Sequence, residues 1–88
     1  MIYLTEALVV TADEHQYIMG KASQRKNSEL YISNPRYYLT MAQTIRGALS
    51  VTLRQGVKDG SIDTLRKFLS EAERLQDDFS RKLAPLEY

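Results

Sequence analysis

The sequence predicts an all-α fold: a three-helix domain built on a long antiparallel helical hairpin. Three observations carry this expectation. In the last stretch, with a helix over 61–84, Ile62, Leu65, Phe68, Leu69, Ala72, Leu75, Phe79, Leu83 and Leu86 recur at helical spacing and fall within about 140° of a helical wheel. Over 35–57, Tyr38, Met41, Ala42, Ile45, Ala48, Leu49, Leu53 and Val57 form a second such face. Over 5–22, Leu8, Ala12, His15, Met19 and Ala22 supply a weaker third stripe that would close the core.

Taken in chain order, the first element is the least determined. "MIYLTEALVV" is rich in β-branched and aromatic residues and reads as a strand on propensity alone. Thr5 could equally cap a helix, and Thr11-Ala12-Asp13-Glu14 has the spacing of a capping box. The apolar stripe favours a helix over 5–22, with residues 1–10 as the segment open to a strand reading. "SQRKNSE" (23–29) is a polar loop, followed by "LYI" (30–32) as an apolar plug.

Asn34-Pro35 opens the second helix on paper. Asparagine is a good N-cap, and proline is tolerated at the first helical position, where its missing N–H has no partner to lose. Lys58-Asp59-Gly60 is a turn signal and Ser61 a cap for the third helix. Acid-before-base pairs at i,i+4 (Asp63 with Lys67, Asp77 with Arg81, Asp78 with Lys82) support that helix by a few tenths of a kcal/mol each, on the order of 0.3. Pro85 ends it at Leu83 or Ala84.

The chain has 88 residues, which suits one domain over 1–88. Apolar residues make up 43% and charged residues 26%, so it reads as soluble and globular rather than disordered. It has no cysteine, which removes disulfides and thiolate metal sites and fits a reducing compartment. Its longest apolar run, Ala7-Leu8-Val9-Val10, is far short of the ~20 residues of a membrane span, and Glu6 interrupts any signal-like start. A cytoplasmic protein with no membrane association is expected.

No motif points to catalysis. His15 is the single histidine, and its acidic neighbours Asp13 and Glu14 are consecutive residues that would diverge on a helix. The four glycines are scattered, so no phosphate-cradling loop exists, and there is no Gly-x-Ser-x-Gly. The expectation is a non-enzyme with no cofactor and no metal.

Surfaces remain. Net charge is +1, but the positive charge is concentrated in residues 21–60, and no acid occurs between Glu29 and Asp59. Arg36, Arg46, Arg54 and Lys58 would share one face of the second helix, extended by Arg25, Lys26 and Tyr37 at its open end. Clustered cations without acids suit a phosphate-bearing partner, so a nucleic-acid-binding regulator is the alternative reading. The leading reading rests on the last helix. Its near-heptad apolar series exceeds what one neighbouring helix can cover, which makes Phe68, Leu75, Phe79 and Leu83 candidates for an interface. The expected function is a small protein–protein interaction module (an adaptor, a chaperone or a phage- or plasmid-type inhibitor) that occupies a partner's surface. The partner would be another protein or a second copy.

Overall fold

The structure is a computed structural model that describes residues 1–87. Tyr88, the last residue of the domain expected from the sequence, lies outside the described residues. The architecture is α+β and not all-α. Four strands precede two helices: β1 (Ile2–Tyr3), β2 (Leu8–Ala12), β3 (Tyr17–Gln24), β4 (Leu30–Tyr38), α1 (Met41–Asp59) and α2 (Leu65–Leu83). A 3-10 turn over Ala84–Glu87 follows. The strands form one antiparallel sheet in sequence order, β1-β2-β3-β4. The expected self-standing helical hairpin is therefore replaced by two helices packed on a sheet.

The first correction concerns 5–22, where the helix is replaced by the β2–β3 hairpin. Val9, Val10, Thr11 and Ile18 fit a pleated strand better than a helix. The capping-box spacing has a different use. Asp13 Oδ1 accepts the backbone N–H groups of His15 and Gln16 at 2.8 and 2.9 Å, which closes the hairpin turn. The amides that would have begun a helix are tied to this turn.

The second correction concerns 23–40. Ser23 and Gln24 finish β3, the polar loop shrinks to a turn, and the "LYI" plug begins β4. Asn34-Pro35 caps no helix. Asn34 has φ of +50°, and the pairing jumps from Met19–Arg36 to Lys21–Ser33, so Asn34 and Pro35 together oppose Gly20. This is a β-bulge, a position where proline does no harm to the ladder. The helix starts at Met41 instead of 35, capped by Thr40, whose side chain accepts the Gln43 N–H at 3.1 Å.

The third helix is displaced at its start. Thr64 and not Ser61 caps α2, accepting the Lys67 N–H at 3.1 Å. Ser61 belongs to a connection that folds back on α1. Its hydroxyl and the Ile62 N–H both donate to the Gly56 carbonyl, at 3.3 and 3.0 Å. The α2 end at Leu83 agrees with the expectation from Pro85.

Both helices lie on one face of the sheet. Leu4, Leu8, Val10 and Met19 from the sheet meet Ala48, Leu53, Ile62, Leu75, Phe79 and Leu83 in one buried cluster. Alternation along β2 turns Val9 to the other face, yet it is also fully buried. Gly20 pairs with it, and the Ile32 side chain lies over Gly20, so that side carries a small apolar patch of its own. The far half of α2 is tied down: Lys82 Nζ donates to the Leu4 carbonyl at 3.1 Å while pairing with Asp78 at 2.9 Å. The near half of α2 has no such tie among the described residues, and a groove opens beside it.

Candidate functional site

The basic candidates divide into three places. Arg36, Tyr37 and Tyr38 at the end of β4 meet Gln43, Arg46 and Ser50 of α1 around a shallow cleft of about 480 Å³. Strand and helix, not one continuous helix, bring Arg36 and Arg46 together. Tyr38 does not leave this cleft open at Gly47: a Cβ at Gly47 would collide with the Tyr38 ring. Tyr37 is 57% exposed and presents its ring to solvent. No carboxylate lines the cleft.

Arg25 and Lys26 sit apart, in the β3–β4 turn. Arg25 is already engaged, stacked 4.6 Å from the Tyr31 ring centroid and 4.0 Å from the Glu29 carboxylate. Lys26 is exposed at the tip. Arg54 and Lys58 are exposed further along α1 and do not line the cleft.

The apolar candidates also separate. Leu75, Phe79 and Leu83 are buried in the core and cannot form an outer surface; Phe68 is half-buried against it. The sheet explains this. It covers the α2 face that a second helix alone would have left bare. What α2 does expose is Leu65 at 73% and Leu69 at 59%, one helical turn apart near its start. Val57, near the end of α1, is 52% exposed.

A larger feature had no counterpart in the sequence reading. A groove of about 1040 Å³ runs between the second half of α1, the first half of α2 and the sheet. Ala7, Leu8, Val51, Ile62 and Leu75 supply its apolar lining, and Lys21, Arg66 and Lys67 bring cations to it. Asp59 and Glu71 are its acids, and both are engaged. The Ser61 N–H holds the Asp59 carboxyl below its ordinary value, and Arg74 does the same to Glu71 through two bonds of 3.0 and 2.8 Å.

His15 is exposed on the β2–β3 turn, and among the described residues no three or more His, Asp or Glu side chains gather to hold a metal. No described helix is long and apolar enough to cross a membrane. Comparison with known protein families, with curated proteins and with solved structures finds no match for this chain.

Proposed function

We propose that this chain is a non-catalytic protein-binding module and that its contact surface is the exposed apolar start of α2. One observation carries the reading. Leu65 and Leu69 stand in solvent on a helix whose Leu75, Phe79 and Leu83 are buried. Two leucines one turn apart, flanked on the helix by Arg66 and Glu73, match the apolar centre and charged rim of a contact surface. Desolvating such anchors supplies most of the affinity of a small interface.

The test is capture from the source cell, with sedimentation of the purified chain to register a second copy as partner. Leu65→Glu with Leu69→Glu should weaken binding by about 30-fold, the equivalent of one hot-spot contact of ~2 kcal/mol. Its far-UV circular dichroism should match the parent, because both side chains are already solvated. Equal capture and equal mass for parent and variant would refute the reading.

The acid-free cleft favours one second reading, in which Arg36 and Arg46 contact phosphates and Tyr37 stacks on a base. Titration of labelled single-stranded RNA and duplex DNA at ~50 and ~200 mM salt tests it. Binding that falls steeply with salt and disappears in Arg36→Glu/Arg46→Glu supports it; binding indifferent to that double reversal rejects it.

A further inference from the structure

Lys21 stands where the fold calls for an apolar residue. In the β2–β3 ladder it pairs with Leu8, and Met19 pairs with Val10, so Lys21 shares the helix-facing side with three core residues. Met19 is 1% exposed; two residues on, the same face carries an ammonium at the mouth of the groove. Arg66 faces the same space from α2. Neither cation has a carboxylate within 4.0 Å among the described residues, whereas Lys67 pairs with Asp63 at 3.0 Å. Arg74 neutralises Glu71, while Asp59, held by the uncharged Ser61 N–H, keeps its charge; with Lys21 and Arg66 the groove therefore carries a net positive charge beside a hydrocarbon lining.

That combination specifies an occupant with one anionic head and an apolar body. We propose that the groove binds a linear acyl-chain carboxylate. Its chain lies along Leu8, Val51, Ile62 and Leu75, and its carboxylate is held by Lys21 and Arg66. A partner helix suits the same space less well. Docked with its apolar side inward, it would press hydrocarbon onto the Lys21 ammonium without a counter-charge. A single-headed anion places its charge there and keeps the rest of its length apolar. Pockets with a mostly apolar lining and a few placed polar groups are the usual form of small-molecule sites, and the groove lies at the upper end of their size range. Leu65 and Leu69 do not line the groove, but Arg66 borders both, so Lys21→Met is the variant that tests the groove apart from the Leu65–Leu69 surface.

The probe is sodium dodecanoate, kept below its micelle concentration, titrated into the uniformly ¹⁵N-labelled chain. The expected result is saturable shifts at Leu8, Lys21, Gly56 and Ile62. Octanoate should bind more weakly, by up to roughly fourfold for each methylene lost. Lys21→Met and Arg66→Met, both at exposed positions, should each weaken dodecanoate about tenfold with the fold intact. Dodecyltrimethylammonium should not compete. The proposal is overturned if dodecanoate produces no saturable shifts, if the cationic amphiphile binds equally, or if the shifts centre on Leu65 and Leu69. It is also overturned if an acidic amphipathic helical peptide takes the groove more tightly than dodecanoate.

Discussion

Gly20 is the residue on which the sheet's shape depends most directly. A Cβ there would lie 2.7 Å from the Ser33 carbonyl oxygen and against Ile32, so the neighbouring backbone, not a flexible side chain, would have to move. Gly20→Ala should destabilise the chain by about 1–3 kcal/mol and loosen the bulge at Asn34-Pro35, read as a lower urea midpoint and faster amide exchange along β4. Gly60 has a different need: φ of +86° at the end of α1 with nothing around it. Gly60→Ala should cost about 1–2 kcal/mol through backbone conformation alone. Phe79 is fully buried in the main cluster, and Phe79→Ala should cost about 3–5 kcal/mol, enough to unfold a chain of this size. At the same scale, the basic candidates show how far residue identity carries. Arg36 and Arg46 line one cleft, although Arg36 lies on β4, ahead of the helix that was to carry both. The Lys21–Arg66 pair was not legible, because no local pattern links positions on a strand and a helix so far apart. Its one sequence signal is a lysine extending the Tyr17, Met19 alternation of β3.

At the scale of elements, legibility followed the strength of periodicity. The α2 end at Leu83 and most of the apolar face of α1 were readable, because long amphipathic stretches leave few alternatives. The N-terminal third was misread because its stripe at 8, 12, 15, 19 and 22 competes with a strand reading. Antiparallel pairing with the neighbouring strands, which the helical stripe does not register, decided the outcome. Asp13 and Asn34 mark the same difficulty. Each is a residue that caps helices or shapes turns, and here each serves the sheet. The true caps are Thr40 and Thr64. Replacing either with alanine should cost about 1 kcal/mol, lowering the thermal midpoint by about 4–8 °C. The turn and helix-terminal acids add a pH dependence. The carboxyls of Asp13, Asp59 and Asp63 lie below the ordinary 3.8, held there first by the His15 N–H, the Ser61 N–H and the Lys67 ammonium respectively. Glu71 lies below its ordinary 4.5 through Arg74. A group held lower in the folded chain than in the unfolded one favours folding above the unfolded value and loses that contribution as the pH falls through the folded value. Thermal midpoints should therefore be level from pH 7 to 5 and decline below about pH 4.5.

At the scale of the whole molecule, the sheet changes what the helices can do. A bare pair of helices would have spent Leu75, Phe79 and Leu83 on a partner; the sheet takes them into its own core, and what α2 keeps accessible is Leu65 and Leu69, beside the groove. β4 is one edge strand of the sheet, and Pro35, the bulge and Arg36 make it a poor template for another strand. The central claim is that the chain binds through the start of α2. Its most direct measurement is a ¹³C-methyl spectrum of leucine-labelled chain, recorded alone across a concentration series and then with the protein it captures. The account predicts that the Leu65 and Leu69 methyls shift and broaden while those of Leu4, Leu75 and Leu83 hold their positions. Shifts confined to residues around Arg36 and Arg46, with Leu65 and Leu69 unmoved, would contradict it.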